Sequence, residues 1–208
     1  MSQRSAAQSG CLCIFARAPE PGKVKTRIAR ALGADVALHA HRVLVERCLD
    51  QLARVDELEV QLWVAGERDH PDVAAWAADW KLPVRLQQGA DLGARMAHTI
   101  EATLAVAPTA IVVGSDAPEL DAAYVASAVT ALRDHDVVLG PAEDGGYALI
   151  GSRRPVAELF VDMPWGTADV TTATLDIALQ LGLQVALLAE LWDVDTQADW
   201  QRFCALVA

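Results

Sequence analysis

The sequence predicts a three-layer α/β fold, a mostly parallel sheet with helices on both faces. Three observations predict it. Short apolar runs alternate with longer stretches whose apolar residues recur every three or four positions. The runs are apolar throughout rather than at every second residue, as in strands covered on both faces. Hydrophobic residues make up 53% of the 208, enough to fill one sizeable core.

"CLCIFA" (11–16) is the first strand. The stretch 34–54 places Val36, Ala40, Val43, Leu44, Cys48 and Leu52 on one helical face. "EVQLWVAG" (59–66) is a second strand, and Val73, Trp76, Ala77 and Trp80 mark a short helix after it. "PVRLQQG" (83–89) reads as a third strand, followed by a helix striped by Leu92, Met96, Ile100 and Leu104. "AIVVG" (110–114) is the clearest buried strand, with Val125, Ala128, Val129 and Leu132 on the next helix. "DVVLG" (136–140) and "YALIG" (147–151) are two more strands, joined by "PAEDGG", a hairpin composition. A helix near 168–181 ends at Gly182, a C-cap glycine. "QVALL" (184–188) is a late strand, and "TQAD" (196–199) spells a capping box for a last helix. Residues 1–10 read as a flexible leader and 11–208 as one domain, with a Rossmann-like mixed sheet.

Charge narrows the partners. There are 17 Lys and Arg against 28 Asp and Glu, a net −11. Duplex binding rests on many cation–phosphate contacts, so a nucleic-acid surface is not expected, nor an anionic membrane surface. Cys11, Cys13, Cys48 and Cys204 form no Cys-x-x-Cys pair and read as core thiols of a reducing compartment. No secretory signal is spelled and no apolar run nears the roughly 20 residues of a membrane span, so a cytoplasmic location is expected. The five histidines form no metal-binding spacing and read as surface or packing residues. No Gly-x-Ser-x-Gly elbow exists.

In such sheets ligands lie beyond the carboxyl ends of the strands, where the strand order reverses. After the first strand comes "ARAPEPGKVKTR" (16–27). It lacks the Walker spelling, since Arg17 stands five before Gly22 and Val24 follows Lys23. Its cations Arg17, Lys23, Lys25 and Arg27, with Arg30 beyond, concentrate positive charge on an acidic chain, which suits a polyphosphate or else a solvated basic surface. After "AIVVG" comes Asp116, placed to hold Mg²⁺ or to cap the turn at Ala117 and Pro118. After "QVALL" come Asp193 and Asp195, which share a face in an extended segment. They repel one another unless a cation or solvent intervenes. Asp144, Gly145 and Gly146 form either a plain hairpin or a close backbone approach to a ligand. Gly166 and Thr167 offer an amide and a hydroxyl near a helix N-terminus.

The segments "IFARAPEPGKVKTR", "QQGADLGARM", "VVGSDAPEL", "PAEDGGYALIG", "PWGT" and "WDVDT" together resemble the DUF2064 proteins, or radical-SAM/selenodomain-associated transferase family. That family is similar to the 2-phospholactate guanylyltransferases. The resemblance runs from about 11 to 200 and implies the nucleotide-diphospho-sugar transferase (GT-A-like) fold. It implies Mg²⁺, or Mn²⁺, on Asp116, Asp193 and Asp195. It implies a nucleotide near Gly93 and Arg95, and a phosphorylated small-molecule acceptor near Gly145 and Gly146. Gly166 matches a Gly-x-x-Ser element only loosely, with Asp169 where Ser would stand. The relatives continue Gly-Gly with Thr-Asn, whereas this chain has Tyr147 and Ala148, so a different acceptor pocket is expected.

The residues leave three functions open. One is nucleotidyl transfer from an NTP, with Lys23, Lys25 and Arg27 on the phosphates and no protein base. Another is glycosyl transfer from a nucleotide-sugar, with Asp144 or Glu143 as base. The third is a nucleotide-binding module without chemistry.

Overall fold

The computed structural model describes residues 10–207. The predicted leader lies outside the described residues except for Gly10, which opens the first strand. In chain order the strands are β1 (Gly10–Arg17), β2 (Leu58–Ala65), β3 (Val84–Leu86), β4 (Ala110–Gly114), β5 (Val137–Pro141), β6 (Tyr147–Ser152) and β7 (Val185–Leu187). The helices are α1 (Thr26–Leu32), α2 (Ala34–Leu52), α3 (Pro71–Trp80), α4 (Leu92–Leu104), α5 (Ala122–Ala131), α6 (Val170–Gln180) and α7 (Gln197–Val207). A 3₁₀ turn covers Ala157–Phe160.

One seven-stranded sheet runs in the order β3-β2-β1-β4-β6-β5-β7. β6 is antiparallel to both β4 and β5, and the other pairings are parallel. The sheet is therefore mixed, as predicted, with β6 as the one reversed strand. β1 has β2 on one side and β4 on the other, so the order reverses between β1 and β4. Their ends lie side by side, Phe15 opposite Gly114. That crevice is where such sheets bind ligands.

Alternation along β1 sorts its side chains to two faces. Leu12 and Ile14 join Leu49, Leu52 and Trp76 beneath α2 and α3. Cys13 and Phe15 join Met96, Ile100 and Phe160 beneath α4. Cys11, Cys13 and Cys48 are buried free thiols and Cys204 is an exposed one, so three of the four are core thiols. The late helix ends as its glycine predicts. Gly182 has φ 68, and the Leu183 amide returns to Ala178 O at 2.9 Å. The capping box before α7 also forms, with Asp199 Oδ2 accepting from the Thr196 amide at 2.7 Å.

One element was not legible. The basic segment runs at Thr26 and Arg27 into a helix, α1, which also carries Arg30. Lys25 precedes it in a left-handed conformation (φ 44, ψ 48), which costs a non-glycine residue roughly 1–2 kcal/mol. A third apolar cluster fixes α1 in place. Ile28 packs with Leu44 of α2, Trp192 and Val194 of the segment after β7, and Phe203 of α7.

This cluster generates a prediction. Ile28 is fully buried, so Ile28→Ala is expected to lower stability by about 2–5 kcal/mol in urea unfolding. Leu206→Ala, at a side chain 53% exposed, should change it by no more than about 0.5 kcal/mol.

Candidate active site

The end of β4 delivers Asp116 into the crevice, and Lys25 meets it from beneath. Lys25 Nζ lies 2.7 Å from Asp116 Oδ1 and donates to Val194 O at 2.6 Å. Its side chain is only 4% exposed, against 48% for Asp116. Asp116 Oδ1 is buried with no aligned hydrogen bond, so its contact with Lys25 is an ion pair. The Val194 amide in turn donates to Asp116 O at 3.0 Å. Three strand-end segments, 22–27, 115–117 and 192–196, are thereby tied together.

The late acids follow the predicted alternation. Trp192 and Val194 are buried in the third cluster, which turns Asp193 and Asp195 to the other side. Asp195 Oδ2 accepts from Arg27 Nη1 at 2.7 Å. Asp193 has no such cation. Burial, followed by the charges of Asp144, Asp195 and Asp116, pushes its pKa up to about 6. Lys25 offsets only part of this, so burial and like charge dominate at Asp193.

A cleft of about 410 Å³ opens at this crevice. Of the predicted site residues, Arg17, Arg95, Asp116, Asp144, Gly146, Gly166, Thr167 and Asp193 line it. Lys23, Lys25, Arg27, Gly22, Gly93, Gly145 and Asp195 do not, and each departure has a physical reason. Lys23 pairs with Glu20 at 2.5 Å on the surface, and Gly22 shapes that exposed turn at φ 75. Lys25 is enclosed against Asp116, while Arg27 and Asp195 pair with one another at the exposed surface beside the cleft. Gly145 (φ 86) makes its close approach to Ala168, whose carbonyl oxygen would lie 2.2 Å from an added Cβ. Gly93 seats Trp165, whose ring would lie 2.8 Å from a Cβ there. Thr167 lines the cleft, yet its amide and hydroxyl both donate to Pro164 O. Glu143, the other candidate base, is held by Arg202 at 3.0 Å, leaving Asp144 in the cleft.

Sequence reasoning missed His41 and Trp165. His41 is buried on α2, lines the cleft and donates from Nε2 to Arg17 O at 2.8 Å. Burial lowers its pKa, favouring the neutral ring, which fixes the end of β1. No spacing signal could have placed it there. Trp165 stands inside a motif, but nothing in its spacing marks a cleft wall; Tyr147, from which a different acceptor pocket is expected, lines the cleft.

The donor set fits a hard divalent cation in kind and charge. Asp193 carries no cation partner, and Lys25 and Arg27 each hold one oxygen of Asp116 and Asp195. As the side chains stand, no three His, Cys, Asp or Glu among the described residues converge to hold a metal. Among the described residues no helix is long and apolar enough to cross a membrane.

The raised Asp193 pKa gives a sign for pH dependence. A carboxyl that folding pushes up binds its proton more tightly in the folded chain. The folded state is therefore favoured below about pH 6 and loses that advantage as pH rises through it. Asp193→Asn is expected to raise Tm at about pH 7.5 and to add little at about pH 4.5, where wild type is already protonated. An equal change at both pH values would contradict this.

Comparisons with known proteins identify the family and the fold. The model of the DUF2064 family, uncharacterized proteins conserved in bacteria, matches residues 48–167. No curated protein matches the chain. A solved protein from Desulfovibrio desulfuricans G20, provisionally named a nucleotide-diphospho-sugar transferase, is 34% identical with a TM-score of 0.84, over 94% of this chain and 86% of that one. The CMP:2-keto-3-deoxy-manno-octonic acid synthetase complexed with CTP shares the fold at 15% identity and TM-score 0.61, over 95% and 97% of the two chains. So does glucosyl-3-phosphoglycerate synthase from Mycobacterium tuberculosis in complex with Mg²⁺ and UDP, at 13% and 0.53, over 88% and 70%. The chain belongs to the DUF2064 family and has the fold of the nucleotide-diphospho-sugar transferases.

Proposed function

We propose that this protein is a nucleotide-using transferase that moves an NMP from an NTP to a small phosphorylated acceptor. One observation carries the reading. Asp116, Asp144 and Asp193 line one cleft at the β1/β4 crevice, where burial and neighbouring carboxylates outweigh the Lys25 charge at Asp193, and the same cleft holds Arg17 and Arg95. Carboxylates beside guanidinium groups suit a polyphosphate accompanied by a divalent cation. The similar proteins named for nucleotide chemistry support the same reading.

Arg17 and Arg95 take the phosphate oxygens. An oxygen of the acceptor phosphate bonds to the α-phosphorus as the bond to the β-bridging oxygen breaks, and pyrophosphate leaves with that electron pair. The acceptor phosphate is already anionic, so no side chain needs to take a proton, and alignment and electrostatics carry the rate. Mg²⁺ or Mn²⁺, which Asp116, Asp193 and Asp195 would hold, supplies charge neutralisation at the α-phosphate. Lys25 orients Asp116 from below and does not touch the nucleotide.

A second reading has its own observation. Asp144 keeps a carboxylate in the cleft, with Oδ1 accepting from the Gly146 amide at 2.8 Å. In glycosyl transfer it would take the proton of an acceptor hydroxyl as that oxygen bonds to the sugar carbon and the nucleoside diphosphate departs.

Thermal shift separates the readings. Each NTP and common nucleotide-sugars are tested with and without Mg²⁺ or Mn²⁺, on wild type and Asp116→Asn. A ligand at 100 times its Kd adds about 2.7 kcal/mol of stability. We expect a metal-dependent shift with one NTP that the variant loses. A shift with a nucleotide-sugar alone would make the protein a glycosyltransferase, and no shift with any ligand would contradict both.

A further inference from the structure

The cleft has an aromatic wall that the phosphate chemistry does not use. Trp165 lies over Gly93 at the start of α4, stacked on Phe160 (6.5 Å, 23°) and edge-on to Tyr147 (6.4 Å, 76°). These contacts hold the indole rigidly while it still lines the cleft, half-buried. Tyr147 also lines the cleft, yet its hydroxyl is buried beside Thr174 and turned away from the open space. Tyr147 therefore offers the cleft an apolar ring rather than a polar tip. The wall adjoins the predicted acceptor loops directly, since Tyr147 follows Gly146 and Trp165 precedes Gly166.

We propose that Trp165, backed by Phe160 and flanked by Tyr147, is the platform on which a ring of the acceptor lies, so that the acceptor is a ring-bodied phosphomonoester and not an open-chain phosphoacid. This rests on the transferase reading above for the acceptor's phosphate. The physical argument is one of cover. A rigid planar indole in a cleft gains most from a flat apolar face laid against it, and it is already ordered before the ligand arrives. A short open-chain acid has no such face and would leave the ring wet. Gly93 belongs to the same device, because any side chain there would lift Trp165 from its seat.

The test measures binding by calorimetry on the whole protein, with Trp165→Phe and Trp165→Leu. Phenyl phosphate and glucose 1-phosphate are the ring probes, and 3-phosphoglycerate is the open-chain probe. The wild type is expected to bind a ring probe about tenfold tighter than 3-phosphoglycerate, the order of one stacking contact. Trp165→Leu should abolish that preference and Trp165→Phe should retain most of it. The two ring probes tell an aromatic body from a sugar. Equal affinity for the two classes, or no binding of either, overturns the proposal. So does a Trp165→Leu variant that loses its NTP-induced thermal shift instead, which would seat the nucleobase on the indole. The NTP shift of wild type is read in the same samples. Its absence beside an intact ring preference would sink nucleotidyl transfer and leave the platform standing.

Discussion

The site depends on the ion pair between Lys25 and Asp116. A buried ammonium needs a counter-charge and hydrogen-bond acceptors, and here Asp116 supplies the counter-charge and Val194 O accepts a hydrogen bond. Both partners come from segments far apart in sequence. The segment before α1, the end of β4 and the late Asp-x-Asp segment are thereby held in one arrangement. The left-handed backbone at Lys25 is the local cost of that arrangement. The cluster of Ile28, Val194 and Phe203 offsets it by holding α1 against the same late segment.

The consequence is a division of labour among the cations. Lys25 and Arg27 hold acids in position, while Arg17 and Arg95 remain in the cleft. Of the three predicted metal ligands, Asp193 is the one without an ion pair among the described residues, and burial with three neighbouring carboxylates raises its pKa. Electrostatic strain is concentrated beside the β1/β4 crevice, where an added positive charge would relieve it most. Opposing chemistry lines the same cleft, with carboxylates and guanidinium groups accompanied by the rings of Tyr147 and Trp165.

Much of this was legible in the sequence because periodicity reports burial. Apolar runs located the strands, and the alternation Trp192, Asp193, Val194, Asp195 placed two acids on one side because their neighbours are core residues. What spacing could not report was the direction of long flexible side chains. Five basic residues in one segment read as an anion site or a solvated surface, but Lys25 and Arg27 meet carboxylates from segments 90 or more positions away, at Asp116 and Asp195. The helix α1 escaped notice because its start is set by a left-handed lysine rather than a capping side chain. The glycines were read as ligand approaches, while Gly145 and Gly93 admit the protein's own Ala168 and Trp165.

The most direct measurement is a double-mutant cycle on Lys25→Met and Asp116→Asn, read as unfolding free energy in urea. If the ion pair organises the site, the two changes are coupled by about 1–3 kcal/mol, because each single variant strands the other partner. Additive effects within about 0.3–0.5 kcal/mol would show the two residues acting independently, and would contradict the account in which Lys25 is the bracket that builds the site.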